Sequence, residues 1–339
     1  MIQEDCAKSC NNISSLDKLK NSHILITGGT GFIGTWLTEM IIYLNEEFNF
    51  SITIYLLARN INPIKTYSEF KYVHFIKSDV KSVKELPRTI NYVIHAAGTP
   101  DSREHVSNSI KTIDTFYKGA QNILDLASRL PNLVKIIHFS SNKIYGNNYS
   151  KVPMDENNTT IIGYNNQDVY SESKRMSETL CKAYMSELHL PIIIVRPFAF
   201  IGPFQSLDKP WAVNNFIRDA ILGGPIRILG NELTAKSYMY GSDLANYLLN
   251  ILVMGKVGEV YNVGSSQPTT LIELATKIKN LINSEIEIKI RSSKDQYSTT
   301  SFDVPQISKI ENEFNIKPSF DIEEALKRTI LWNKLKSTK

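Results

Sequence analysis

Two groups of residues in this sequence have types and spacings that can do chemistry. Tyr170 and Lys174 lie four apart in Tyr170-Ser171-Glu172-Ser173-Lys174, so on a helix they share one face. A free phenol has a pKa of about 10 and is a poor base at neutral pH. A nearby ammonium stabilises the phenolate and lowers that pKa. Such a tyrosine takes a proton from a hydroxyl while a hydride leaves the same carbon, and the lysine can also hold a ribose. Far upstream stands Thr27-Gly28-Gly29-Thr30-Gly31-Phe32-Ile33-Gly34. There Gly28 allows a tight turn, Gly31 lets backbone approach a pyrophosphate, and Gly34 lets a helix pack close to a strand. Phe32 and Ile33 open that helix, whose free N–H groups and positive dipole end face phosphates. Each group has a bland reading, because Y-x-x-x-K arises by chance on helices and a glycine-rich turn can stand without a ligand. Together they point to redox chemistry on an alcohol or ketone with a nicotinamide dinucleotide.

These residues need elements to position them. Ile24-Leu25-Ile26 reads as a buried strand before the glycine turn, and the helix after it runs to about Leu44. Further strands are predicted at residues 52–57, 73–76, 92–95, 134–139 and 192–195, with helices at 109–130 and 170–187. Alternation of this kind predicts a Rossmann-type α/β fold, a doubly wound parallel sheet. The fifth strand ends in Ser140-Ser141-Asn142-Lys143-Ile144-Tyr145-Gly146. Reactive groups in such sheets gather at the carboxyl ends of strands, so a serine hydroxyl there can bond a reacting oxygen, or it can simply cap a turn. Beyond Arg196 the elements shorten and Gly-Pro loops appear, as in a smaller substrate-binding lobe. The expected organisation is a polar extension at residues 1–21, a dinucleotide-binding domain at 22–195, and a substrate lobe at 196–339 partly interleaved with the first. The polar stretch at 291–301 reads as a loop that orders over a ligand.

Composition narrows the class. The 339 residues carry 38 basic and 34 acidic side chains, net +4, a balance that argues against nucleic acid as a partner. Hydrophobic content of 42% and charged content of 21% are those of a soluble globular protein. No apolar run nears the roughly 18 residues of a membrane span, and residues 1–21 lack the apolar stretch of a secretion signal. Cys6, Cys10 and Cys181 have no metal-type spacing. A cytoplasmic setting without a metal centre is expected.

The chain resembles the extended short-chain dehydrogenase/reductase family, in its nucleotide-sugar epimerase/dehydratase branch. The matching residues are the turn at 27–34, Asp79-Val80, His95-Ala96-Ala97-Gly98, Ser141 with Tyr145-Gly146, Tyr170/Lys174, Arg196-Pro197, Ile201-Gly202-Pro203, Asn214-Asn215-Phe216, residues 238–244 and Tyr261-Asn262-Val263-Gly264. The resemblance implies a nucleoside-diphosphate sugar substrate and a homodimer formed through the helices at 109–130 and 170–187. It implies that Tyr170 is the acid/base, that Lys174 lowers its pKa, and that Ser141 completes the triad. Asp79 and Val80 would contact adenine, Ala96, Ala97 and Gly98 would line the cofactor, and Asn215 would meet the diphosphate or sugar. Asp79 can equally cap a helix, and Asn215 can be a turn residue.

Three departures from the family pattern bear on function. The second strand ends in Leu57-Ala58-Arg59-Asn60, where NAD-preferring members commonly carry an acid. Arg59 suits the 2′-phosphate of NADP, or is a solvated residue compatible with NAD. Asn142-Lys143 stands where 4,6-dehydratases resembling this chain carry Asp-Glu, and the pair is similar to that of some CDP-sugar epimerases. Lys236-Ser237-Tyr238 replaces a frequent Arg-Asp-Phe, and Lys236 can meet a phosphate without arginine's bidentate fork. The expected function is a nucleotide-sugar epimerase that oxidises and re-reduces a sugar carbon, C4 in the leading version. The alternatives are an NADPH-dependent 4-keto-sugar reductase, a 4,6-dehydratase or decarboxylase, and a non-catalytic dinucleotide-binding protein.

Overall fold

A computed structural model describes residues 1–10, 12–99, 101–158, 168–291 and 300–337. In chain order its first half contains α1 (Ile2–Ser9), β1 (His23–Thr27), α2 (Phe32–Phe48), β2 (Thr53–Ala58), β3 (Val73–Lys77), β4 (Tyr92–His95), α3 (Ser102–Ser107), α4 (Ser109–Phe116), α5 (Lys118–Ala127) and β5 (Lys135–Phe139). There follow α6 (Val169–Leu188), β6 (Ile192–Pro197), β7 (Ala199–Ile201), α7 (Ala212–Ile221), β8 (Ile226–Ile228), β9 (Ala235–Lys236), β10 (Tyr238–Tyr240), α8 (Gly241–Met254) and β11 (Val260–Val263). The chain ends with β12 (Thr269–Thr270), α9 (Leu271–Ile282), β13 (Ile288–Ile290), β14 (Phe302–Asp303), α10 (Ser308–Phe314) and α11 (Ile322–Ser337).

Seven strands form one parallel sheet in the order β11-β6-β5-β4-β1-β2-β3. The predicted doubly wound α/β fold is present. Its strands are apolar on both faces because helices cover both. Ile24 and Ile26 face the core that holds Trp36, Leu37, Leu244 and Leu248. Leu25 between them faces a second core with Val93, Ile136, Ile123 and Cys181. Strand order reverses between β1 and β4, and in such sheets a ligand crevice opens at that point, beyond the strands' carboxyl ends.

Past residue 196 the chain does two things. β11 pairs with β6 as the seventh strand, and α8 lies on α2. The rest builds small sheets, β7 with β10, β8 with β13, and β9 between β12 and β14. These rise beyond the carboxyl ends of the large sheet. Most of the loop expected at 291–301, residues 292–299, lies outside the described residues.

The polar extension at residues 1–21 packs against the rest of the chain through its described residues. α1 buries Asp5, Cys6 and Ser9, and Leu16 and Leu19 are fully enclosed. Its polar residues can be buried because each has a partner. Tyr240 donates to Asp5 at 2.7 Å, Arg328 pairs with Asp5, and Ser9 donates to Asp243 at 2.7 Å. The helix expected at 109–130 is two helices, α4 and α5, broken at Tyr117. Asn122 of α5 donates to the carbonyls of Val80 and Val83, at 2.8 and 3.0 Å, which draws α5 down onto the β3 loop.

Candidate active site

The glycine turn sits where β1 meets α2. Gly28 has φ +74°, a left-handed conformation that favours glycine. Its amide donates to Leu57 O at 2.9 Å, tying the turn to β2. A Cβ on Gly34 would lie 2.6 Å from Gly28 O, so only glycine lets α2 start this close to the turn. Gly31 is the N-cap of α2, and no side chain caps that helix. First-turn N–H groups are therefore left for a ligand. Thr27 closes the base of the turn, accepting from Ala97 N at 3.1 Å and bonding His95 Nδ1 at 2.8 Å.

A cleft of about 720 Å³ opens at this turn and runs into the smaller sheets. Gly28, Gly31, Phe32, Ile33, Arg59, Asp79, Val80, Ala96, Ala97 and Gly98 all line it. Gly34 does not; its part is the close packing beneath. Asp79 lines the cleft, and its Oδ1 accepts from Lys81 N at 2.9 Å, so it closes a turn and does not cap a helix. Arg59 stands exposed at the end of β2. The bare N–H groups of α2, the close glycine backbone and the open strand ends fit a dinucleotide.

Ser141, Tyr170 and Lys174 meet on the same cleft. Ser141 follows β5 and also caps the short turn at Asn142–Tyr145, accepting from Lys143 N at 3.2 Å. Burial pushes the Tyr170 phenol above its ordinary pKa, and a hydrogen bond with Ser141 works the other way. The expected lowering by Lys174 is not what this arrangement gives. Lys174 Nζ donates to Phe139 O at 2.6 Å and lies 4.2 Å above the Phe116 ring. A desolvated ammonium takes the carbonyl and the π face that are at hand. Burial pushes that ammonium down to about 7, while Glu178 and Cys181 pull it back up. Glu178 is itself fixed by Arg196, whose Nε and Nη2 donate to it at 2.9 and 2.8 Å.

The far wall carries charge. Asp303 of β14 is buried, and its Oδ2 lies 3.2 Å from Lys143 Nζ and 3.6 Å from Lys236 Nζ. Burial pushes its carboxyl up, but the two ammoniums outweigh that and hold it below the usual range. Burial and the neighbouring Lys143 lower the Lys236 ammonium, against the pull of Asp303. Asn142, Lys143, Lys236 and Asp303 all line the cleft. Asn215 does not. It is half-buried in the first turn of α7, while Asn214 is spent on Ser206 O at 2.6 Å.

Sequence reasoning missed Asp303, His105 and Phe116. Asp303 arrives from the end of a long polar loop and carries no motif. His105 stacks flat on Tyr170, with centroids 4.3 Å apart and planes 7° apart, and Phe116 meets Tyr170 in a T-shaped pair at 5.2 Å. Phe116 falls in a stretch whose spacing announces only a helix, and His105 lies before that stretch, where no element is expected.

Comparison with known proteins places the chain in a family. The sequence pattern of the NAD dependent epimerase/dehydratase family matches residues 24–264. The chain is 28% identical to UDP-glucuronic acid decarboxylase 1 of Arabidopsis thaliana over 92% of its length and 69% of the relative's. It is 27% identical to a UDP-N-acetyl-alpha-D-glucosaminuronate decarboxylase of Bacillus cytotoxicus, over 91% and 96%. Its fold is similar to that of a UDP-glucuronic acid 4-epimerase from Bacillus cereus, solved with UDP-glucuronic acid and NAD. The TM-score is 0.80 at 21% identity, covering 93% of this chain and 99% of that one. The chain belongs to the NAD dependent epimerase/dehydratase family of nucleotide-sugar enzymes.

Proposed function

We propose that this enzyme oxidises a nucleoside-diphosphate hexuronate at C4, releases its carboxyl group as carbon dioxide, and re-reduces the ketone. One observation carries the reading. A single cleft joins the glycine turn, the Ser141/Tyr170/Lys174 centre and a wall with two ammoniums on one carboxylate. That wall is net positive and suits an acidic sugar. Relatives named as decarboxylases of glucuronic acid and of glucosaminuronate support the same outcome.

In its phenolate form Tyr170 takes the proton of the C4 hydroxyl, and Ser141 donates a hydrogen bond to the same oxygen. NAD, when bound, takes a hydride from C4 and returns it at the end, so the cofactor is regenerated. The 4-ketone makes the sugar a β-keto acid. The electrons of the C5–C6 bond then flow into the carbonyl as carbon dioxide leaves. Tyr170, now a phenol, and Ser141 stabilise the enolate oxygen. C5 takes up a proton from water, and Tyr170 returns its own proton to O4 as the ketone is reduced. None of these steps needs an acid to expel a hydroxyl group. This fits Asn142 and Lys143, which provide no carboxyl pair for 4,6-dehydration.

Epimerisation is the second reading, favoured by the Asn142-Lys143 pair. It shares the first step and omits the loss of carbon dioxide. Incubation with UDP-glucuronic acid separates the two. Decarboxylation gives carbon dioxide and a UDP-pentose, whereas epimerisation gives a UDP-hexuronate of unchanged mass. A protein that only consumes added NADPH on a keto-sugar would be a reductase and would overturn both. Tyr170→Phe is expected to lower turnover by about a hundredfold or more while NAD binding persists. In the same reading two copies pair through α4 and α6.

A further inference from the structure

We propose that His105 and Phe116 form an aromatic clamp that positions Tyr170 for proton transfer, with Asp101 as its anchor. The inference rests on Tyr170 being the acid/base of the proposed reaction. It does not depend on what becomes of the ketone.

Tyr170 is the second residue of α6. First turns are the least fixed part of a helix. The orientation of Tyr170 must therefore be set from outside, and two rings do it. His105 lies parallel to the phenol at 4.3 Å. Phe116 meets the phenol in a T-shaped pair at 5.2 Å and 78°, and also carries Lys174 Nζ at 4.2 Å. Both geometries are favoured for aromatic pairs. Gly98 has a reason here. A Cβ on it would lie 2.3 Å from the Phe116 ring, so glycine is what admits that ring to the end of β4.

The clamp is itself held. His105 Nε2 donates to Thr99 O at 2.7 Å, which fixes the tautomer and the ring plane. Asp101 caps α3, accepting from Arg103 N at 3.1 Å, and takes the Arg103 guanidinium at 3.0 and 2.8 Å. Lys209, from the loop before α7, reaches the same carboxylate at 3.5 Å. That loop also lines the cleft, so the platform under His105 is tied to the lobe across from it.

The charged groups around His105 are Asp101 and Glu104 on its own helix and Lys174 on α6. Burial lowers its pKa, against the Thr99 carbonyl and the two acids, with Lys174 adding to the lowering. Burial thus favours the neutral form of the ring that faces Tyr170. That ring shields the phenol from water, and burial keeps that phenol above its ordinary pKa.

The test uses His105→Ala, His105→Leu and His105→Phe beside Tyr170→Phe in the full-length protein, with UDP-glucuronic acid as the probe. His105→Ala and His105→Leu are expected to lower kcat by about ten- to a hundredfold, while KM changes less than about threefold. The acid limb of the kcat profile should move to lower pH as water reaches the phenol. His105→Phe should restore both, because it keeps a flat ring. If Leu and Phe behave alike, or if kcat and the acid limb stay put in His105→Leu, the clamp is wrong. Should His105→Ala fail to fold, the Leu–Phe comparison still decides, since both fill the space. A Tyr170→Phe variant that remains active would instead overturn the assignment of Tyr170.

Discussion

Asp303 shows how one residue sets what its neighbours can do. Its carboxylate gathers Lys143 and Lys236 into one cationic wall. Without it, two ammoniums on the same wall would repel and turn apart. With it, they keep most of their donors for a ligand. A hydrogen bond between charged groups is worth about 1.5–3 kcal/mol, or about ten- to a hundredfold in binding. Lys143→Met is therefore expected to lower kcat/KM on UDP-glucuronic acid by that factor, and much less on UDP-glucose. The ratio of the two substrates is the measurement. An unchanged ratio would remove the acidic sugar from the reading.

At the scale of elements, β4 and β5 carry buried imidazoles beneath the site. His95 and His138 lie with ring centroids 5.5 Å apart. Burial, with Lys174 adding to it, pushes His95 from 6.5 down to about 3. His138 is pushed well below its ordinary value by burial, by His95 and by Lys174. Both are therefore neutral in the fold, whereas an unfolded chain protonates them near pH 6.5. A folded-state pKa below the unfolded one means stability that is whole above pH 6.5. It is lost as pH falls through the window toward 3, at up to about 1.4 kcal/mol per pH unit for each histidine. Urea unfolding at pH 7 and pH 5 reads this directly. His95→Asn should flatten the slope by about half, and a wild-type stability level across that range would contradict the assignment.

The whole molecule carries an apolar face that no other described residue covers. Ile110 is 79% exposed, and Val106, Ile113 and Met176 stand exposed beside it on α3, α4 and α6. Ridges on two such helices from each of two copies can interdigitate as a four-helix contact. Ile110→Glu is expected to shift a homodimer to monomer, read by sedimentation. A wild-type protein that sediments as a monomer would sink the pairing. Among the described residues no helix is long and apolar enough to cross a membrane.

Local rules made much of this legible in advance. The glycine turn needs only a strand before it and a helix after it, and Tyr170/Lys174 needs only helical spacing. Strand alternation sufficed for six of the seven strands of the sheet. The seventh, β11, escaped because its place depends on the chain returning to β6 after the small sheets. The buried α1 escaped for a related reason. Asp5 and Ser9 look solvent-bound until Tyr240, Arg328 and Asp243 arrive from more than two hundred residues away. The sequence by itself determined which groups can hold a dinucleotide and move a proton. Only the tertiary structure decided what surrounds them. Stacking His105 on Tyr170 and setting Asp303 between two lysines are contacts between distant segments, and no periodicity within one segment encodes its neighbour.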